Sequence, residues 1–183
     1  MIRSIPRLGG KVLDLGCGYG VLGISIALLN PDAEVWFTDI NERAVSLCHA
    51  NCKKLLFSRG AAEAREASRG QGANNSGAAE ARGASSRDAA GIQSRIICAD
   101  GLSAFVDGFF NTIVTNPPIR TGKANLYRLL GDARSRLADG GALYLVIQKK
   151  QGMESTRNEL IRLFGNCDDI ARKAGYHILL SIK

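Results

Sequence analysis

No stretch of about 18 apolar residues, the length of a membrane-spanning helix, occurs in this sequence of 183 residues. Residues 1–7 also lack an apolar core of the length that signal peptides carry. The five cysteines are an odd number at scattered positions, which makes a poor disulfide framework. These absences argue against a membrane span and a secreted domain, and they predict a soluble, cytoplasmic protein without a membrane partner.

A complete set of metal ligands is also missing. Cys48 and Cys52 lie four residues apart and could share a helix face, with His49 beside the first of them. A closed zinc site needs four ligands, and no second Cys or His pair stands at ligand spacing. We therefore expect these cysteines to be small buried apolar residues and predict no bound metal.

Aromatic and large apolar residues are almost absent from residues 58–91, which consist mainly of Ala, Gly, Ser, Arg and Glu. Such a segment cannot bury enough surface to offset the entropy lost on ordering. We predict one domain over residues 1–183, interrupted by a mostly disordered surface insert at about 58–91. The five arginines of the insert could contact RNA.

Positive charge is present in excess, and it is unevenly placed. The net charge is +7, and residues 117–183 alone carry twelve basic and six acidic side chains. A basic surface attracts phosphate groups and accelerates encounters with nucleic acid, although it also serves solubility alone. Taken with the site described below, the charge predicts an RNA partner.

Strand-like and helix-like segments alternate along the rest of the chain. Strands are predicted at Lys11–Leu15, Glu34–Thr38, Arg95–Cys98, Thr112–Thr115 and Ala142–Ile147, helices at Val21–Leu29, Glu42–Leu56, Ala124–Leu137 and Met153–Phe164, and a terminal hairpin at Asp168–Ala171 and His177–Ile182. Gly140 and Gly141 are predicted to end the third of these helices. The alternation indicates an α/β fold: a doubly wound, Rossmann-like, mostly parallel sheet to which the hairpin adds one antiparallel strand.

A glycine-rich turn, Gly16-x-Gly18-x-Gly20, joins the first strand to the first helix. Glycines let the backbone approach a ligand closely and aim a helix N-terminus at it. Val21 stands where the dinucleotide pattern has its third glycine. Asp14 is an acid in an otherwise apolar strand. It suits a cofactor with a cationic amine, S-adenosylmethionine rather than NAD, although it could also be a buried acid satisfied near the helix N-terminus.

A second short motif, Asn116-Pro-Pro-Ile119, follows the fourth strand. An exocyclic amino nitrogen is a poor nucleophile because its lone pair is delocalised into the ring. Two acceptors that hold both N–H bonds, Asn116 Oδ1 and the Pro117 carbonyl, would direct the lone pair at a methyl carbon. Proline restricts Asn116 to extended geometry and stiffens the loop, so a rigid turn without chemistry is the alternative.

These motifs together resemble those of a known family. The segment Val12-Leu-Asp-Leu-Gly-Cys-Gly-Tyr-Gly20 is similar to the first motif of class I S-adenosylmethionine-dependent methyltransferases. Asn116-Pro-Pro-Ile119 resembles the fourth motif of the branch that methylates amino groups. With Arg120-Thr-Gly-Lys123 appended, the chain looks most like the small-domain methyltransferases, relatives of the 16S rRNA guanine-N2 enzymes. The resemblance covers nearly everything outside the insert.

The resemblance implies a set of site residues. Those assigned to S-adenosylmethionine are Asp14, Gly16, Cys17, Gly18, Tyr19, Gly20, Asp39, Ile40, Asn41, Asp100, Gly101 and Asn116. In the family, the acid matched by Asp39 holds the ribose hydroxyls, Ile40 and Asn41 line the adenine, and Asp100 lies near the adenine amino group. Asn116 and Pro117 are the implied catalytic residues.

The implied substrate-binding residues are Pro118, Ile119, Arg120 and Lys123. Ile119 departs from the family, in which many relatives have an aromatic residue that stacks on the substrate base. Arg120 could supply a cation–π or a phosphate contact instead.

The predicted function is therefore methylation of an exocyclic amino nitrogen, with guanine N2 of rRNA or other structured RNA as the expected target. One alternative is a protein-glutamine N5 methyltransferase, although those relatives usually carry Tyr at the position of Ile119. The other is a non-catalytic cofactor-binding subunit of a larger complex. Relatives usually have an extra helix or a whole domain before the first strand, where this sequence has only about ten residues. Either the chain is abbreviated, or RNA recognition comes from the basic C-terminal half or from a protein partner.

Overall fold

The computed structural model describes residues 2–55, 95–117 and 122–183, and within them seven strands form one sheet in the order β3-β2-β1-β4-β5-β7-β6. The strands are β1 Gly10–Leu15, β2 Ala33–Asp39, β3 Ile96–Cys98, β4 Phe110–Thr115, β5 Leu137–Gln148, β6 Asp168–Lys173 and β7 Tyr176–Ile182. The helices are α1 Val21–Leu29, α2 over residues 42–55, α3 Lys123–Arg136 and α4 Met153–Phe164, with short 3-10 helices at Ile2–Ser4 and Lys149–Gln151. The insert predicted at 58–91 lies outside the described residues.

The sheet is mostly parallel, and the predicted fold class is confirmed. β1 pairs in parallel with β2 and β4, β2 with β3, and β4 with β5. β7 lies between β5 and β6 and runs antiparallel to both. The carboxyl ends of the five parallel strands β1 to β5 therefore meet at one edge of the sheet, which we call the carboxyl edge.

Helices cover both faces of the sheet, which explains the uninterrupted apolar run at residues 142–147 of β5. On one face α3 and α4 pack on Leu13, Ile113 and Leu143, through side chains such as Leu130 and Leu160. The other face carries a second core cluster: Val12, Ile24, Val35, Phe37, Cys48, Cys52, Val114, Tyr144 and Ile178. Cys48 and Cys52 of α2 thus lie in the core as free thiols, as expected from the sequence.

The bounds of α1 and α4 match the sequence prediction, and the predicted end of α3 is wrong. Gly140 and Gly141 do not cap that helix, because α3 ends at Arg136 and β5 begins directly at Leu137. Instead, the Gly140 N–H donates to the Lys183 carbonyl, and the Lys183 N–H donates to the Gly141 carbonyl. A Cβ at residue 141 would lie 2.8 Å from the Ala138 carbonyl oxygen, so glycine is needed for an irregular strand rather than a helix end.

Within the described residues, the helices are all too short or too polar to cross a membrane.

Candidate active site at the carboxyl edge

A cleft of about 630 Å³ opens at the carboxyl edge, above the point where the chain order reverses between β1 and β4. Open α/β sheets bind their ligands at this topological switch point. The residues bordering this larger cleft come from the strand ends, the loops after them and one side of α3: Leu15, Gly16, Gly18, Thr38, Asp39, Ile40, Ala99, Asp100, Gly101, Asn116, Pro117, Asn125, Leu126, Arg128 and Leu129.

The loop after β1 is held down by backbone hydrogen bonds. The amides of Gly16 and Cys17 both donate to the Thr38 carbonyl at 2.9 Å, which fastens the loop to the end of β2. Gly16 and Gly18 have φ values of +69° and +55°, a region that favours glycine. An added Cβ at either position would meet no atom of the described residues within 4 Å, so among these residues nothing fills the space above the loop.

Asp39 presents a fixed carboxylate to the larger cleft. Its Oδ2 accepts a hydrogen bond from the Gly18 amide at 2.8 Å, and its Oδ1 accepts one from the Asn41 amide at 2.9 Å. Each carboxylate oxygen can accept a further hydrogen bond. The side chain is therefore preorganised to receive hydroxyl groups, the role that the family resemblance implies for it.

Asp14 occupies a different environment, with only 1% of its surface exposed. Its Oδ2 accepts a hydrogen bond of 2.7 Å from the Gly23 amide in the first turn of α1. Burial raises the pKa of Asp14 from 3.8 to about 7, although the bond from Gly23 acts in the opposite direction. Asp14 does not border the larger cleft, and its contacts fit the structural alternative named above, an acid that anchors α1. Its contact with a cofactor amine stays a prediction.

A second cavity of about 430 Å³ adjoins the first. It shares Gly16, Gly18 and Asn116 with the larger cleft, so the two spaces meet at the glycine loop and at the end of β4. The remaining residues that border this smaller cavity are Ile5, Asp14, Cys17, Tyr19, Val21, Leu22, Val146, Tyr176 and Ile178.

Asn116 lies where the two spaces meet. The Thr115 hydroxyl donates to the Leu15 carbonyl at 2.8 Å, which ties the end of β4 to the end of β1. Asn116 follows with its side chain exposed, and Pro117 is buried at the border of the larger cleft. Pro118, Ile119 and Arg120 lie outside the described residues, so their predicted substrate contacts stay predictions.

The structure brings most of the other predicted residues to this edge. Ile40, with 66% of its surface exposed, borders the larger cleft together with Asp100 and Gly101. Cys17 and Tyr19 border the smaller cavity. These five positions are consistent with a ligand that extends across the glycine loop.

Three predicted residues lie elsewhere. The Asn41 side chain caps α2 by accepting from the Arg43 amide at 3.0 Å, and it borders neither space. Gly20 packs under the loop, where a Cβ would lie 2.8 Å from Cys48 Sγ. Lys123 is exposed at the start of α3 and also borders neither space. Asn41 and Gly20 therefore shape the site from behind rather than line it.

Among the residues of the larger cleft that the sequence did not predict, Thr38 and Arg128 bring polar groups to it. The Thr38 hydroxyl is buried and finds no hydrogen-bond partner among the described residues. Arg128 of α3 reaches Asp100, with a distance of 3.5 Å between Nη2 and Oδ1, and also pairs with Asp132 one helical turn on. A threonine in a strand and an arginine in a helix carry no sequence signal of their own. Thr38 reaches the cleft at the carboxyl end of β2, and Arg128 reaches it only because α3 packs over the sheet.

An open sheet with a glycine loop after β1, an acid at the end of β2 and Asn-Pro after β4, all at one edge, defines the class I methyltransferase fold. The family profile of the methyltransferase small domain matches residues 1–73 and 61–180. The chain therefore belongs to the methyltransferase small domain family, and the resemblance drawn from its motifs is confirmed.

Individual relatives agree with this assignment. The chain is 31% identical over 180 residues to the uncharacterized protein YbxB of Bacillus subtilis, covering 97% of this chain and 72% of that protein. It is 31% identical to ribosomal RNA large subunit methyltransferase G of Streptomyces avermitilis and 26% identical to ribosomal RNA small subunit methyltransferase C of Shewanella amazonensis, each over the whole chain. It spans only 40% and 43% of the length of these two enzymes.

Solved structures show the same fold. A 16S rRNA N2 methyltransferase of T. thermophilus, solved in complex with AdoMet and guanosine, superposes with a TM-score of 0.66 at 21% identity, over 100% of this chain and 37% of that one. A methyltransferase from Pyrococcus furiosus superposes with a TM-score of 0.64 at 20% identity, over 100% of this chain and 79% of that one.

Proposed function

We propose that the chain is an S-adenosylmethionine-dependent methyltransferase that acts on an exocyclic amino nitrogen, with guanine N2 of rRNA or other structured RNA as its target. The observation that carries the proposal is the position of Asn116. Its exposed amide stands where the larger cleft and the smaller cavity meet, one residue after the bond that ties β4 to β1.

The polar and apolar groups that border the larger cleft fit the chemistry of S-adenosylmethionine. The carboxylate of Asp39 is preorganised for ribose hydroxyls, and the Thr38 hydroxyl beside it is unpartnered among the described residues. The exposed side chain of Ile40 offers an apolar surface to a purine ring. Carboxylates at the strand ends suit a donor that carries positive charge and would repel a pyrophosphate. Bound here, S-adenosylmethionine supplies a methyl group activated by its sulfonium.

The chain contributes alignment rather than a strong base. Asn116 Oδ1 and the Pro117 carbonyl are the acceptors for the two N–H bonds of the target amino group. Gripping both hydrogens favours the pyramidal nitrogen and orients its lone pair. Because both acceptors follow a buried strand, they lose little freedom when the amino group binds, and fixed geometry of this kind supplies a large part of a rate enhancement.

RNA as the substrate is supported by charge and by the relatives. Residues 117–183 hold most of the net positive charge, and the two relatives named above, from Streptomyces avermitilis and Shewanella amazonensis, are ribosomal RNA methyltransferases. The chain covers only part of the length of those enzymes, so its substrate and any protein partner remain part of the proposal.

A transfer assay tests it. The chain is incubated with labelled S-adenosylmethionine and either deproteinised rRNA or ribosomal protein, and the labelled product is identified as a nucleoside or an amino acid. Label in N2-methylguanosine is expected. Label in glutamine would favour the protein-methylating alternative, and cofactor binding without transfer to either pool would favour the non-catalytic subunit. Transfer by the isolated chain would also show that a protein partner is not required.

The variant Asn116→Ala isolates the catalytic step. It should lower the transfer rate by about 100- to 1,000-fold, the range for loss of one preorganised polar group, while cofactor affinity measured by calorimetry stays close to wild type. Asn158→Ala is the matched control, because Asn158 is exposed on α4 and its side chain makes no hydrogen bond to any residue that the structure describes. If Asn116→Ala retained most of the activity, the proposed role of the amide would be wrong.

A further inference from the structure

Three lysines from two distant parts of the sequence meet at the carboxyl edge. Lys149 and Lys150 form the short 3-10 helix directly after β5, and Lys173 ends β6. The Lys149 amide donates to the Gly175 carbonyl at 3.0 Å, so the 3-10 helix is fastened to the turn between β6 and β7. That turn, Ala174–Gly175, has positive φ at both residues, as in a tight two-residue hairpin turn. We call Lys149, Lys150 and Lys173 the lysine edge.

The charges of the lysine edge are not neutralised within the described residues. All three side chains are exposed, and none of them forms an ion pair there. The neighbouring Arg172 differs, because its Nε binds Asp169 Oδ2 at 2.8 Å. Glu154 is the nearest acid along the chain after Lys150, and it too makes no ion pair with these lysines. Three unpaired cations at one place repel one another and attract an anionic partner.

The lysine edge adjoins the smaller cavity. Tyr176, which borders that cavity, pairs with Gln148 on one side and with Lys173 on the other. Val146, two residues before Gln148, borders the same cavity, as does Asn116. Since neighbouring strands lie about 4.8 Å apart, β5 and β6 are separated by roughly 10 Å, and the lysines span a similar width. A polyanion on the lysine edge would therefore pass beside the smaller cavity.

We infer that the lysine edge binds the RNA backbone next to the target base, an assignment that rests on the proposed function. An enzyme that modifies a base must extrude that base from its stack. The phosphates of the one or two flanking nucleotides then lie close to the active site. Lysines suit this role because phosphate contacts position an RNA without reading its sequence. The lysine edge holds the backbone on the β5–β7 side, while Asn116 grips the base.

Salt dependence of RNA binding tests the inference. Binding of a short fluorescent RNA stem-loop is measured by anisotropy for the wild type and for the variant Lys149→Gln/Lys150→Gln/Lys173→Gln. Each lost phosphate contact reduces the slope of log affinity against log salt by about 0.7–0.9. The slope of the variant should thus be smaller by about 2 to 3. Between about 50 and 200 mM salt, its affinity should fall about 20- to 40-fold less than that of the wild type.

The matched control removes the same charge far from the site. Arg3→Gln/Lys53→Gln/Arg134→Gln changes three exposed basic residues: Arg3 beside Leu29 at the end of α1, Lys53 in the last described turn of α2 and Arg134 in the last turn of α3. These helices begin at the carboxyl edge, so their ends lie toward the opposite edge of the sheet. This variant should keep the wild-type slope. An unchanged slope in the lysine-edge variant, or an equal reduction in the control, would overturn the inference.

Two further readouts separate this inference from the proposed function. Cofactor affinity of the lysine-edge variant should equal that of the wild type, and in transfer to rRNA its KM should rise while kcat stays unchanged. Reduced salt dependence without any transfer by the wild type would contradict the proposed function and leave the RNA surface in place. Methyl transfer by the wild type, together with an unchanged salt dependence in the lysine-edge variant, would contradict the RNA surface and leave the proposed function in place.

Discussion

The buried carboxyl of Asp14 makes the stability of this protein depend on pH in an unusual direction. Burial raises its pKa from 3.8 to about 7 in the folded chain. Between these two values the folded state holds a proton that the unfolded state has released. The stabilisation is therefore complete below pH 3.8 and is lost as pH rises through 7, opposite to the usual behaviour of a carboxylate.

The magnitude follows from the same pKa difference. One pKa unit corresponds to about 1.4 kcal/mol, so Asp14 accounts for about 4 kcal/mol in all. About 3 kcal/mol of this falls between roughly pH 4.5 and pH 8.5. The Asn side chain of the variant Asp14→Asn cannot ionise and still offers an oxygen to the Gly23 amide. The free energy of unfolding of this variant should therefore not fall with rising pH through residue 14.

The assay is urea unfolding of wild type and variant across that pH range. The free energy of unfolding of Asp14→Asn, relative to wild type, should rise by about 3 kcal/mol from the acid to the alkaline end. Asp168→Asn is the control, because Asp168 is exposed and forms no ion pair in the described residues. A difference between Asp14→Asn and wild type that stays constant with pH would refute the reasoning from burial.

Two further predictions concern the carboxyl edge. Asp39→Asn should weaken S-adenosylmethionine binding by about 10- to 100-fold, because it removes a charged acceptor worth about 1.5–3 kcal/mol, and calorimetry measures this directly. Wild-type affinity in this variant would contradict the assignment of the larger cleft. Gly23→Ala should lower the free energy of unfolding by about 1–3 kcal/mol, because its Cβ would lie 2.4 Å from a ring carbon of Phe37. Gly131→Ala in α3 meets no atom within 4 Å and should instead raise the melting temperature; a fall equal to that of Gly23→Ala would show that the close contact is not the cause.

Much of the fold could be predicted because its signals are local. The apolar runs that became β1, β4 and β5 are bounded by glycine or by polar residues, and α4 has the 3.6-residue period of a helix with one buried side. The α1 helix is instead a short apolar segment between Gly20 and Pro31. The end of α3 could not be predicted in the same way. Gly140 looks like a helix stop in sequence, and only its hydrogen bond to Lys183, at the far end of the chain, gives it a different role.

The candidate site, like the fold, could be predicted only where its signals are local in the sequence. Gly16, Gly18, Asp39 and Asn116 were predictable because each lies at the end of a strand or in the turn directly after one, and parallel strands end together. Arg128 was not, because its approach to Asp100 depends on how α3 packs over the sheet. The split of the site into a larger cleft and a smaller cavity depends equally on tertiary packing, since Val146, Tyr176 and Ile178 reach the site only through the hairpin pairing.

The hydrogen bond from the Thr115 hydroxyl to the Leu15 carbonyl has a consequence for how such enzymes diversify. Under the proposed function, this bond joins the strand before Asn116 to the strand before the glycine loop, so the separation between the target amino group and the methyl donor is set by the pairing of β1 with β4. Loops outside this pair of strands can then change in sequence or length to suit a new methyl acceptor, while the cofactor site keeps its geometry.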